Sequence, residues 1–151
     1  MQLGGKRMLQ FFARSNQSST TNANEGEKKL KVVCVDDHNI IRDRTIEYIK
    51  EISTDADVFG FENVDEAMSF VQTAGCDILF TEIELYGKPS GIELARNMQK
   101  INPRVNIIFT TVCSPNEYAK EVMEIRPSGY LTKVVEIEDI RKAMNSLLYS
   151  V

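Results

Sequence analysis

CDILFTEI, residues 76–83, is the stretch on which the reading of the fold turns. Asp77 to Thr81 hold a short, nearly unbroken apolar run of β-forming residues, the pattern of a strand covered on both faces. Such strands belong to parallel sheets. This one runs directly into a carboxylate, Glu82, so a charged group is expected where the sheet ends.

The same alternation extends in both directions. Upstream, LKVVCV (30–35) is a strand of the same kind, followed by Ile41, Thr45, Tyr48 and Ile52 at the spacing of one helix face. DVFGF (57–61) is a second strand, after which Asn63 caps a helix carrying Val64, Ala67, Met68 and Val71, closed by Gly75. Downstream, the loop ELYGKPSG (84–91) is rich in turn residues and leads to a stripe of Ile92, Ala95, Met98 and Ile101. VNIIFTT (105–111) is the next strand. Pro115 suits a helix first turn, with Tyr118, Val122 and Ile125 as its apolar face, and Pro127 stops that helix. SGYLTK (128–133) is a short last strand, and Ile137, Ile140, Met144 and Leu147 line a final helix. Five strand-then-helix units predict an α/β fold, a doubly wound parallel sheet with helices on both faces, because each crossover must be long and right-handed.

Residues 30–151 are read as one domain, preceded by an extension over 1–29. Its first part carries Lys6, Arg7 and Arg14 with Met8, Leu9, Phe11 and Phe12, and its second, SNQSSTTNANEGE (15–27), is a linker by composition. A net charge of −4 argues against phosphate neutralisation, so nucleic acid is not an expected partner of this chain alone. Cys34, Cys76 and Cys113 are widely spaced and odd in number, which suits reduced thiols. No apolar run approaches the roughly 20 residues that cross a bilayer, and a cytoplasmic protein is expected. The lone His38 makes no metal site unaided; it opens the first helix.

In a parallel α/β sheet the functional crevice lies outside the carboxyl ends of the strands. There the sequence places Asp36 and Asp37 after strand one, Glu82 after strand three, Thr110 and Thr111 ending strand four, and Lys133 ending strand five. Three gathered carboxylates repel one another by a few kcal/mol at about 4 Å. Lys133 offsets part of that charge, and a hard divalent ion such as Mg²⁺ held by Asp36, Asp37 and Glu82 could offset the rest. Such a group handles anions of the phosphoryl type.

These residues, in VVCVDDH, FTEI, IIFTTV and GYLTK, resemble a response-regulator receiver domain, the phospho-acceptor module of two-component signalling, from Leu30 to about Tyr149. The resemblance implies a flavodoxin-like sheet of order 2-1-3-4-5. It makes Asp36 and Asp37 the metal-binding pair, Thr111 the switch hydroxyl, Tyr130 the switch aromatic and Lys133 the phosphoryl-contacting lysine. The sequence departs from the family in four places. Glu82 stands at the phospho-acceptor position, the loop after it is one residue longer, Val112 replaces a small residue, and Val134 replaces the usual proline.

A carboxylate displaced by about 1 Å loses on the order of 100-fold where in-line geometry matters. An atypical receiver is therefore expected, a pseudo-receiver and not an enzyme, acting through protein contacts with Glu82 as a permanent carboxylate within reach of Thr111 and Lys133. Output is expected through the face of the fourth helix, fifth strand and last helix, with Lys120, Glu121, Glu124, Arg141 and Lys142 at its rim, toward a regulatory protein or a second copy. No output domain is expected beyond the last helix. Two other readings stand beside this one: a working receiver that accepts phosphate slowly, and a flavodoxin-like binder of nucleotide or flavin. Cys113 is expected to be a passive thiol.

Overall fold

The computed structural model describes residues 28–149. The N-terminal basic apolar segment and the linker over 15–27 lie outside the described residues. The elements alternate as β1 (Lys31–Val35), α1 (Asn39–Ile52), β2 (Asp57–Phe61), α2 (Val64–Ala74), β3 (Ile78–Thr81), α3 (Ser90–Ile101), β4 (Asn106–Thr111), α4 (Ala119–Ile125), β5 (Gly129–Thr132) and α5 (Ile137–Tyr149). The five strands are parallel in the order β2-β1-β3-β4-β5, the flavodoxin-like topology expected.

Alternation along the strands divides the core. Val33, Val35, Leu79, Ile107 and Phe109 face α2, α3 and α4, where Ala67, Val71, Ile92, Ala95, Met98 and Ile125 complete one cluster. Val32, Cys34, Ile78, Phe80 and Ile108 face the other way, onto Ile49 of α1 and Ile140 and Met144 of α5. The three central strands, β1, β3 and β4, are buried on both faces, while the edge strands β2 and β5 are only partly buried. That explains why β1, β3 and β4 read as continuous apolar runs.

Three details differ from the sequence reading. The buried face of α1 is turned toward Ile46 and Ile49, and Ile41 is left exposed. Ile46 takes the space over Gly60, where an added Cβ would lie 2.6 Å from its Cδ1. Ile101 ends the α3 stripe but is exposed, because it lies in the last turn, past the sheet. Pro115 does not open a helix: residues 115–118 form turns, with Glu117 N–H donating to the Ser114 carbonyl at 3.1 Å and the Glu117 carboxylate accepting from Ser114 N–H at 3.2 Å. α4 starts only at Ala119 and ends at Ile125, capped by Arg126, whose φ of 56° is left-handed, just before Pro127.

The caps read from sequence are present. Asn63 accepts from Glu66 N–H at 2.9 Å, and Gly75, at φ 81°, closes α2. Among the described residues no helix is long and apolar enough to cross a membrane.

Candidate functional site

The sheet fixes the backbone of the charged residues before their side chains are considered. Asp36 N–H donates to the Phe61 carbonyl at 3.2 Å, Glu82 N–H to Val35 at 3.0 Å, and Lys133 N–H to Thr111 at 2.8 Å. The parallel ladder therefore runs one step beyond each strand, and the three side chains leave from neighbouring, rigid positions.

They meet. Lys133 Nζ lies 2.7 Å from Asp36 Oδ2 and 2.6 Å from Glu82 Oε2, with the lysine side chain 8% exposed and the two acids 6% and 5%. The other Glu82 oxygen, Oε1, accepts from the N–H groups of Ile83 at 2.8 Å and Glu84 at 3.4 Å. Glu82 thus curls over its own backbone, with one oxygen on amides and the other on the ammonium. Burial disfavours the Lys133 charge, but the hydrogen bonds and charges of Asp36 and Glu82 outweigh it and hold the ammonium above its ordinary value of 10.5.

Thr111 is fully buried, yet its hydroxyl does not serve Glu82: it accepts from Cys113 N–H at 3.1 Å. Tyr130 is half-buried, edge-on to Phe109 with ring centroids 6.2 Å apart, and its hydroxyl donates to the Cys113 carbonyl at 2.7 Å. Burial, followed by the Cys113, Glu82 and Glu117 charges, pushes the Tyr130 phenol up to about 12. The Cys113 thiol is buried and raised by desolvation and the acids around it, the opposite of an activated nucleophile. Val112 and Val134 both stand in solvent.

Asp36 and Asp37 differ in what they already hold. Asp36 Oδ1 accepts from His38 N–H at 2.9 Å, and its carbonyl accepts from Arg42 Nη1 at 2.7 Å. Asp37 Oδ2 accepts from Tyr86 N–H at 3.2 Å, while Asp37 Oδ1 is enclosed by protein and accepts no hydrogen bond. A buried carboxylate oxygen in that condition is costly unless a cation faces it. The acidic pair therefore fits a divalent ion through Asp36 Oδ1 and Asp37 Oδ1. Glu82, included in the sequence-based ligand set, has both oxygens engaged.

Two contacts escaped the sequence reading. Glu84 receives the Tyr118 hydroxyl at 2.7 Å, tying the loop after β3 to the start of α4. Gly91 opens α3 directly beneath the Glu82 backbone: its N–H donates to the Ile83 carbonyl at 2.9 Å, and a Cβ on it would stand 1.8 Å from the Glu82 carbonyl oxygen. A glycine closing a turn-rich loop where a helix begins was the available signal.

Comparison with known proteins gives the same family. Residues 32–145 match the model of the response regulator receiver domain. The chain is 27% identical over 115 residues to sensory transduction protein LytT of Bacillus subtilis, covering 76% of this chain and 46% of that protein. It is 21% identical over 118 residues to response regulator GacA of Pseudomonas aeruginosa, covering 78% and 55%. The chain thus spans about half the length of the curated relatives it matches. Among solved structures, a CheY-like receiver domain protein from Methanospirillum hungatei superposes with a TM-score of 0.71 at 18% identity, covering 82% of this chain and 96% of that one. A LuxR-family response regulator from Aurantimonas superposes with a TM-score of 0.70 at 24% identity, over 82% and 87%.

Proposed function

The chain belongs to the response regulator receiver domain family of two-component signalling, and from that membership we propose that it is an atypical receiver in which Glu82 is a resident carboxylate rather than an acceptor of phosphate. The observation that carries this reading is the double engagement of Glu82. A phospho-acceptor needs an oxygen free to attack phosphorus in line. Glu82 is 4% exposed, with Oε2 on Lys133 and Oε1 on two backbone amides.

The ammonium that the resemblance assigns to a phosphoryl group is therefore already paired with a side chain of the chain itself. Glu82 and Lys133 hold the loop after β3 to the end of β5 without any added group. Thr111 and Tyr130 meet on Cys113. We assign the switch to those two residues, with the Lys133 pairing as its setting. A divalent ion, when bound, supplies positive charge against the phosphoryl-type oxygens of a ligand; Asp36 and Asp37 are the residues to hold it.

Signalling then passes by contact between folded surfaces. The surface best placed is that of α4, β5 and α5, which carries Tyr130 and the exposed Met123, toward a regulatory protein or a second copy of the chain. Two of the expected rim charges are already paired within the chain, Glu124 with Arg96 and Arg141 with Glu138, both at 3.1 Å. That leaves Lys120, Glu121 and Lys142 as the charges offered outward.

Incubation with a small phosphodonor and Mg²⁺, followed by intact-mass measurement, tests the reading. Wild type is expected to show no adduct, and Glu82→Asp, whose shorter arm leaves Lys133 free to meet a phosphoryl group, is expected to gain one. A stoichiometric phosphate on wild type overturns the proposal.

A further inference from the structure

We propose that the groove between α2 and the loop after β3 is the docking site of the chain's own basic apolar segment, residues 6–14. This goes beyond the reading of Glu82 and holds whether or not Glu82 takes a phosphate.

The groove has a volume of about 440 Å³. Half-buried Met68, buried Leu85 and the ring of Tyr86 give it apolar surface, and Asp65 and Glu93, first-turn acids of α2 and α3, stand at its edge. Among the described lining residues Lys88 is the one cation. Tyr86 is the feature that asks for an occupant. Its side chain is 61% exposed, and its backbone is left-handed at φ 52°, a region that a bulky residue seldom adopts. The loop thus holds a large aromatic ring outward against its backbone preference. The charge around the ring is negative: the phenol is raised first by partial burial and then by Glu62 and Asp37, which with Glu66 prevail over Arg42.

The segment has the complementary make-up. Lys6, Arg7 and Arg14 are its charges, no acid precedes Glu25, and Met8, Leu9, Phe11 and Phe12 recur at the spacing of one helical face. Apolar faces of this kind enter grooves through anchors at i, i+3 and i+4. A groove of this size takes a few side chains, which suits a short segment better than a folded surface.

The described chain also begins on the correct side of the sheet. Lys31 Nζ donates to the carbonyl of Ala74, the last residue of α2, at 2.6 Å, and the opposite end of α2 borders the groove. The gap to be crossed is therefore little more than the length of α2, about 16 Å at 1.5 Å per residue. A polar linker as long as residues 15–30 has a root-mean-square span of about 20–24 Å. Such a tether keeps the segment at a local concentration on the order of mM, with which a free basic partner must compete. Because the Tyr86 N–H donates to Asp37 at 3.2 Å, a segment seated over the ring steadies the loop against the acidic pair.

The experiment uses the full chain. ¹H–¹⁵N spectra of wild type and of Phe11→Ser with Phe12→Ser are expected to differ at the amides of Asp65, Met68, Leu85, Tyr86 and Glu93. In wild type, nuclear Overhauser contacts are expected between the Phe11 and Phe12 rings and the Met68 methyl. Tyr86→Asn is expected to abolish them, since asparagine accepts a left-handed backbone and keeps the amide on Asp37. Thermal melts check that each variant is folded. Groove amides unmoved by the double substitution leave the groove to another molecule and overturn the proposal. So do shifts centred on another face, or, in an equal mixture of labelled and unlabelled chains, ring contacts found only between copies. None of these readouts involves phosphate, so their failure is distinct from a failure of the reading of Glu82.

Discussion

At the scale of single residues, Lys133 carries the most. It is enclosed between two carboxylates that are themselves almost fully buried. Removing the cation leaves both acids without their partner, and breaking a buried pair in this way costs about 3–5 kcal/mol. Lys133→Met is therefore expected to lower stability in urea by about that amount. Glu82→Gln is expected to cost less, since an amide oxygen still accepts from Ile83 N–H. Equal and small losses in both variants would show that the ammonium is not holding the site together. The acids and the lysine were legible in the sequence because each directly follows or ends an apolar strand. Their pairing was not, because it depends on which strands are neighbours and on where each ladder stops. The reach of Glu82 toward Lys133 was anticipated; the hydroxyl of Thr111 went instead to the nearer Cys113 amide.

At the scale of elements, the approach of α3 to the end of β3 rests on a missing side chain. Gly91 packs against the Glu82 carbonyl so closely that any Cβ collides with backbone, which cannot swing aside as a side-chain tip can. Gly91→Ala is expected to destabilise by about 1–3 kcal/mol, as overpacking does, and to displace the segment that carries Glu82. Amide shifts at Glu82 and Ile83 that stay unchanged in the variant would contradict this. Strands and helices were readable here because burial on both faces leaves a long apolar signature. The start of α4 was not, since Pro115 is as acceptable in a turn as in a first helical turn, and the turn is fixed by the Glu117 carboxylate folding back to Ser114. The face of α1 was misjudged for a similar reason: Gly60 opens a place for Ile46 that no periodicity within α1 reveals.

At the scale of the whole molecule, three protonated groups near the carboxyl edge of the sheet point the same way. The Tyr118 phenol is pushed up to about 12, first by its hydrogen bond to Glu84 and then by burial, and Tyr130 is raised to about 12 chiefly by burial. Lys133 is raised as well. Each folded group binds its proton more tightly than the unfolded chain does, so the stability it contributes is complete below its ordinary value, near 10 for the tyrosines and 10.5 for the lysine, and is lost as pH climbs toward the folded value. Stability is expected to fall from about pH 10 to about pH 12. A phenolate absorbance titration is expected to show a late fraction that shrinks in Tyr130→Phe. Ionisation of all tyrosines together near 10 would refute it.

Cys113 lies between the two residues that the family resemblance singles out as movable. Thr111 grips its amide and Tyr130 grips its carbonyl. The hydroxyl at the charged edge and the ring toward the α4–β5–α5 surface are therefore joined through one residue. The linkage is made of main-chain atoms at position 113, so it is indifferent to the side chain there. Substitution at 113 can change the chemistry of that position without uncoupling the charged edge from the surface.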